Sequence, residues 1–346
     1  MNIPSAPHWQ PAQFWHPQGE RIVCDLCPLH CRLLDGETGR CAVRRRTGPI
    51  LETATHASAV RHLHSVERKP LYHFRPGLPT LTLAAPGCNF RCGYCQNAVL
   101  SQYGKEPDAP WRAEPVDPAE IVAAARAVRA AIAISYTEPT LAAELTLALV
   151  AAAQGHDIPL IWKSNGFITE SALHTIAPHL AAINIDLKTA DEAAHRRLTG
   201  APLAPVLAAA AEYQRLGVWL EISTPLIDGL NTRPEQIRAL AHHVAALGTD
   251  VPWHLVRVLP EYKMPTIHPT APALLQQAQA IGREAGLRHV YVERACGPEG
   301  RQTRCPSCAA VVIERAIAAL EHNHLINGHC PHCHSAIAGV WQGATP

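Results

Sequence analysis

What the chain lacks narrows its role before any motif is read. It has no excess charge. Its 30 basic side chains face 29 acidic ones, a formal charge of +1, which gives no electrostatic case for nucleic acid or a membrane surface. It has no uncharged apolar stretch of about 18 residues, so no spanning helix is expected. Residues 1–18 hold proline, histidine and tryptophan but no apolar segment of the secretory kind. Scattered cysteines are missing too: of 12, 11 fall into three short groups with ligand-like spacing. A disulfide scaffold is thereby disfavoured, and metal binding in a reducing, cytoplasmic compartment is expected. The 346 residues suffice for one large core, and an α/β barrel of this size often stays a single domain.

The most informative group is the middle one. An apolar, β-type run, Leu81–Ala85, leads into Gly87-Cys88-Asn89-Phe90-Arg91-Cys92-Gly93-Tyr94-Cys95. Four-iron clusters are normally held by four thiolates. Three thiolates in a C-x3-C-x2-C array leave one iron without a protein ligand, open to a small molecule. Structural zinc needs four closed ligands, and no fourth cysteine or histidine lies in residues 87–103.

The flanking groups are more complete. Cys24, Cys27, Cys31 and Cys41 supply four soft ligands, suited to zinc or to an auxiliary iron–sulfur cluster. Near the end, Cys305-Pro-Ser-Cys308 and Cys330-Pro-His-Cys333 form two C-x2-C pairs separated by 21 residues, the pattern of a zinc ribbon or knuckle pair. Cys296 stands outside all three groups and reads as a small buried hydrophobe.

Between these groups strand and helix patterns alternate. Strands are expected at Leu81–Ala85, Ala131–Ser135, Leu160–Lys163, Ala182–Asp186, Val218–Ser223 and His254–Val258, with Val290–Val292 as the candidate closing strand. Asp117-Pro118, Thr169-Glu170 and Arg233-Pro234-Glu235 open helices between them. Six βα units imply a parallel sheet with right-handed crossovers. The expected fold class is α/β: a partial (β/α)6 barrel over residues 79–295, a Cys-rich module and arm over 1–78, and a zinc-ribbon-like module over 296–346. Chemistry in such barrels sits at the C-terminal strand ends. Polar residues gather there: Tyr136-Thr137-Glu138, Lys163-Ser164-Asn165, Asp186-Leu187-Lys188, and Glu221 with Ser223. His254 lies early on the sixth strand.

Taken in order, these motifs resemble the radical S-adenosylmethionine (SAM) superfamily. Within it the chain is similar to the radical SAM enzymes of the AmmeMemoRadiSam system, relatives of pyruvate formate-lyase activating enzymes. Lys69-Pro-Leu-Tyr-His-Phe74, Gly87-Cys-Asn-Phe90, Tyr136-Thr-Glu-Pro139, Ser164-Asn-Gly166, Asn184-Ile-Asp-Leu-Lys188 and Pro252-Trp-His254 carry the likeness. It departs from the glycyl-radical activases at Tyr136-Thr137, where they carry a glycine pair, and at Lys163, where they carry aspartate. The resemblance implies a [4Fe–4S] cluster on Cys88, Cys92 and Cys95 that binds SAM. It also implies SAM contacts from Glu138, Asn165, Asp186, Lys188 and His254, with Glu138 near the methionine amino group. The implied activity is reductive cleavage of SAM to a 5′-deoxyadenosyl radical that abstracts hydrogen from a protein or small molecule, with activation of a glycyl-radical partner as one form. A flavodoxin or ferredoxin donor is implied with it. The competing expectation is a metal-knuckle scaffold that binds a partner protein while the barrel is inert.

Overall fold

A computed structural model describes residues 6–107, 109–292, 294 and 296–341. The expected module boundary at residue 295 lies outside them. The body is one eight-stranded sheet: β1 (Arg61–Ser65), β2 (Pro79–Leu83), β3 (Ala131–Ile134), β4 (Leu160–Ser164), β5 (Ala182–Asp186), β6 (Trp219–Leu226), β7 (Trp253–Arg257) and β8 (Val290–Val292). Spatial order follows chain order throughout. From β2 to β8 every pairing is parallel; only β1 runs antiparallel, against β2. All four residues of β3 are buried, as expected for parallel strands covered on both faces.

The crossovers carry α2 (Pro118–Ala127), α3 (Ala143–Ala152), α4 (Glu170–Ile176), α5 (Glu192–Thr199), α6 (Ala204–Arg215), α7 (Pro234–Leu247) and α8 (Pro272–Glu284); a single turn, α1 (Ala98–Ser101), follows the cysteine loop. Expected caps are present: Asp117 accepts from Ala119 N–H, and Thr169 accepts from Ala172 N–H. α8 lies close on the sheet because Gly282 has no Cβ; one there would meet the Trp253 ring at 2.9 Å. The expected six strands are present within a residue or three at their ends. Val290–Val292 extends the sheet beside β7 and is not hydrogen-bonded to β1, so it does not close the barrel.

Two small antiparallel sheets make up the N-terminal module, including Gln10–Pro11 and Trp15–Gln18 in a stretch whose sequence reads as irregular. A buried ion pair, Arg44 Nη1 to Glu144 Oε1 at 2.8 Å, fastens this module to α3. The C-terminal module is a three-stranded sheet around the last four cysteines.

The arm from Lys69 to Phe74 is no surface connector; Lys69, Leu71, Tyr72, His73 and Phe74 are all buried. Its prolines exclude a helix, and its amides are satisfied by a side chain instead. Glu221 on β6 accepts from Tyr72 N–H at 3.0 Å and His73 N–H at 2.7 Å. His73 Nδ1 donates to the Ala338 carbonyl, and its Nε2 accepts from the Tyr291 hydroxyl, both at 2.6 Å. Arg315 donates to the Tyr72 carbonyl at 2.6 Å and lies over the Tyr72 ring. The arm thus joins β6, β8 and the C-terminal module.

Lys69 has a distinct environment. It is 1 % exposed, its ammonium lies 4.9 Å from the centre of the Tyr136 ring, and Nζ has no hydrogen-bond partner. Burial, helped by neighbouring Arg68, lowers its pKa to about 7. Between that value and the ordinary lysine value of about 10.4 the unfolded chain binds a proton that the folded chain does not. Stability from this group therefore rises with pH across that window. Thermal midpoints of wild type and Lys69→Met, compared at pH 7 and pH 9, should show wild type gaining on the variant as pH rises. A pH-independent difference would contradict the burial of a neutral lysine.

Candidate active site at the strand ends

Strand β2 ends at Leu83, and the chain turns at Gly87 (φ +96°) into the cysteine loop. The thiols of Cys88, Cys92 and Cys95 line one open cavity of about 290 Å³, above the C-terminal ends of the strands. Glu138, Lys163, Asn165, Asp186 and Lys188 also line it, with Val256 and Val258 among the apolar residues. No fourth cysteine and no histidine is among the described lining residues. Three thiols around a space suit an iron–sulfur cluster with one open iron and do not suit closed tetrahedral zinc.

The loop is fixed from several sides. Cys88 Sγ accepts from Phe90 N–H at 3.3 Å, and Cys95 Sγ lies 3.1 Å from Ser101 Oγ on α1. Asn165, at the end of β4, donates to Asn89 Oδ1 at 2.8 Å and lies 3.7 Å from Cys88 Sγ. Asn89 in turn donates to the Phe167 carbonyl at 2.8 Å.

Glu138 holds the other end of this chain of bonds. Its Oε1 accepts from Thr140 N–H at 2.9 Å and Ser164 Oγ at 2.7 Å; its Oε2 accepts from Asn165 N–H at 2.8 Å. The residue is 1 % exposed. Burial pushes its carboxyl upward, opposed by these three donors. Both oxygens are occupied by protein donors, one of them the cap of the short turn Pro139–Ala142. Three donors leave one acceptor site of the carboxylate open on the cavity it lines, while the clamp itself positions Asn165 and the loop.

Asp186 is the more open acid. It is bridged by Lys163 and by Lys188, the latter at 3.0 Å, while its side chain keeps 27 % exposure. Burial alone would raise its carboxyl, but Lys163 and Lys188 outweigh it and hold the pKa at about 2. The cavity wall thus carries a fixed carboxylate between two ammonium groups. Lys188 lies 5.7 Å from the centre of the Tyr94 ring, so the cysteine loop and β5 share this wall. Tyr136, left-handed at φ +70°, lines the same cavity, a local strain of the kind found at functional sites.

His254 is not among the lining residues. It is fully buried early on β7, with Nε2 2.6 Å from Glu221 Oε2 and its ring stacked on Tyr291. The C-terminal end of β7, not its start, reaches the cavity, and this accounts for its placement in the core beneath the site. Of the five expected cofactor contacts, the structure brings Glu138, Asn165, Asp186 and Lys188 together and leaves His254 outside. Lys163 was legible as a polar strand-end residue and as a departure from the activase pattern; its pairing with Asp186 needed the parallel register Lys163↔Asn184.

The terminal cysteines form a compact set. Cys305 and Cys333 sulfurs lie 3.5 Å apart, Cys308 and Cys330 3.6 Å apart, and all four lie within 4.8 Å of one another. A tetrahedron with metal–sulfur bonds of about 2.3 Å has edges of this order. Cys24, Cys27, Cys31 and Cys41 line a second, closed cavity. Cys296 is half-buried beside the Pro272 carbonyl, not fully buried as its sequence suggests.

Comparison with known proteins places these features. The sequence profile of the radical SAM superfamily matches residues 82–241. The chain is 33% identical over 301 residues to an uncharacterised protein, MJ0808, of Methanocaldococcus jannaschii, covering 86% of this chain and 88% of the relative. It is 25% identical over 168 residues to the isethionate sulfite-lyase activating enzyme of Desulfovibrio desulfuricans, covering 47% of this chain and 49% of that one. A radical SAM methyltransferase structure from Sphaerobacter thermophilus is similar with a TM-score of 0.49 and 17% identity over 71% of each chain.

Glu138→Gln tests the positioning role. Turning one oxygen into an amide places a donor against Asn165 N–H, or against Thr140 N–H and Ser164. Leaving a buried donor unmatched should destabilise the fold by about 1–3 kcal/mol in urea unfolding. Unchanged stability would contradict the three-bond clamp.

Proposed function

We propose that this chain, whose residues 82–241 match the radical SAM superfamily, is an enzyme that cleaves SAM reductively and uses the product radical to take hydrogen from a substrate. The observation that carries this reading is the convergence of three thiols, without a fourth cysteine or a histidine among the described lining residues, on one cavity bounded by the Asp186 wall. Cys88, Cys92 and Cys95 would hold a [4Fe–4S] cluster. With one iron open to SAM, such a cluster supplies an electron that breaks the C5′–S bond, giving methionine and the 5′-deoxyadenosyl radical.

The protein's own part is binding, orientation and exclusion of water. Asp186 stays anionic between Lys163 and Lys188, so it can accept charge-assisted hydrogen bonds from an ammonium or hydroxyl group. Lys188 and Lys163 offer cationic partners for a carboxylate on the same wall. Asn165 reaches the Cys88 sulfur, and Glu138 sets Asn165 in place. Val256 and Val258 supply apolar surface that keeps bulk water from a reactive intermediate.

The finer assignment is the radical SAM enzyme of the AmmeMemoRadiSam system, supported by the ordered motifs from Cys24 to Trp341. An activating-enzyme-like role on a protein or small-molecule substrate is supported by the partial likeness to the isethionate sulfite-lyase activating enzyme. A flavodoxin or ferredoxin would deliver the electron. The modules are taken as residues 1–78, 79–295 and 296–346. Zinc is assigned to Cys305, Cys308, Cys330 and Cys333 on their compact spacing. No helix among the described residues is long and apolar enough to cross a membrane; the grouped, unpaired cysteines support a reducing, cytoplasmic setting.

Anaerobic reconstitution with iron and sulfide, followed by dithionite and SAM, should yield 5′-deoxyadenosine and methionine, and Cys92→Ala should yield neither. A reconstituted wild type that neither binds nor cleaves SAM would return the protein to the scaffold reading. For the terminal site, elemental analysis should find about one zinc per chain, lost in Cys305→Ser/Cys330→Ser. Zinc content unchanged in that variant would overturn the assignment.

A further inference from the structure

We infer that Lys105 is a positioning residue that places a positive charge against the central cysteine loop and raises the reduction potential of the cluster held there. The inference rests on the proposed function, because it needs a [4Fe–4S] cluster on Cys88, Cys92 and Cys95. Lys105 follows the single turn α1 and is half-buried. Its ammonium donates to the carbonyls of Cys88 and Phe90, the latter at 3.1 Å, with Gln102 Oε1 at 3.5 Å. One of these carbonyls belongs to a thiol residue of the array, and the other lies between two of them. Lys105 is not among the residues lining the cavity. It therefore holds the loop by its backbone, without occupying the space that the thiols border.

The surroundings leave this charge uncompensated. Glu106, the neighbouring acid, pairs with Lys263. All the acceptors that Lys105 Nζ meets among the described residues are neutral amide oxygens. On the cavity wall, by contrast, Lys163 and Lys188 share Asp186. A half-buried cation is screened less than an exposed one. Reduction adds one electron, supplied by the flavodoxin or ferredoxin of the proposed function, and makes the cluster one unit more negative. A nearby positive charge favours that form, and cluster potentials follow charge and solvent exposure.

Local packing fixes where the charge sits. Gly104 has φ +67°, and a Cβ there would meet Ala42 Cβ at 2.7 Å, so this turn seats against Ala42 only without a side chain. Lys105 N–H donates to the Gln102 carbonyl at 3.0 Å. Gln102 Nε2 donates to the Phe90 carbonyl at 3.4 Å and to Ser101 Oγ at 3.0 Å. Ser101 Oγ in turn lies beside the Cys95 sulfur. The ammonium is thereby held at a set place relative to the loop, as a constant electrostatic effect requires.

The test compares wild type, Lys105→Gln and Lys105→Arg after anaerobic reconstitution with iron and sulfide, by redox titration followed with electron paramagnetic resonance. The signal followed is the one absent from Cys92→Ala, which sets aside any cluster on Cys24–Cys41. Lys105→Gln keeps a donor without the charge, and its midpoint should fall by about 59 mV, a tenfold change in the one-electron equilibrium. Lys105→Arg keeps the charge and should stay at the wild-type midpoint. Iron content and the spectral response to SAM should be alike in all three. A merely structural tie would lower iron content and leave the potential of the remaining cluster unchanged. Lys105→Gln at the wild-type midpoint would therefore overturn the inference, as would Lys105→Arg falling as far as Lys105→Gln. Should Lys105→Gln take up no cluster, Lys105→Arg decides: a wild-type midpoint supports the inference and a fall of that size overturns it. A wild type that shows no signal beyond that of Cys92→Ala sinks the proposed function and this inference with it. That outcome is distinct from a cluster whose potential ignores Lys105.

Discussion

One buried carboxylate organises the mouth of this barrel. Glu138 takes donors from the turn after β3, from Ser164 at the end of β4 and from the Asn165 amide. Asn165 then reaches Asn89 and the Cys88 sulfur in the loop after β2. Three successive strand ends are thereby tied through one side chain that water does not reach. A buried acid that holds three protein donors fixes geometry, because each partner left alone would be an unsatisfied buried group. The cysteine loop inherits its position from that bond pattern, and the Asp186 wall faces it across the same cavity.

A second carboxylate does comparable work deeper in the sheet. Glu221 accepts from two amides of the arm and from Trp219 Nε1, and lies against His254. Arg315 and the Ala338 carbonyl bring the C-terminal module onto the same arm. Asn184 links the two levels: it donates to the Pro70 carbonyl at 2.6 Å and accepts from Lys163, which pairs with Asp186 at the cavity. The motif Lys69-Pro-Leu-Tyr-His-Phe74 is thus an internal brace between the polar core and the wall of the site.

Much of this was legible in the residues. Parallel strands buried on both faces announce themselves as short apolar runs, so β2 to β8 could be located within a few residues. Cysteine spacing marked all three groups, of which the structure brings the terminal four together as a metal would need. What escaped depends on partners far apart in sequence. The arm reads as a polar, proline-broken connector because its amide acceptor, Glu221, lies about 150 residues on. His254 belongs to a motif that sits near the cofactor in relatives by resemblance, yet its place early on β7 turns it into the core. Glu138 could be read as ligand or cap from its place before Pro139; only the positions of Ser164 and Asn165 show both of its oxygens occupied. A short β segment is expected somewhere in residues 49–75, but β1 could not be located within it, since an edge strand such as Arg61-His-Leu-His-Ser65 lacks the apolar run of its neighbours.

The three cysteine groups differ in what they leave open. The terminal four close on themselves, the N-terminal four surround an apolar space, and the central three border a polar cavity. The central claim is that the last of these holds a cluster whose free iron takes SAM. Electron paramagnetic resonance of the reconstituted, reduced protein with and without SAM addresses it most directly. Binding at the open iron should change the spectrum of one cluster while any signal from the Cys24–Cys41 site stays as it was. Identical spectra at saturating SAM would contradict the account.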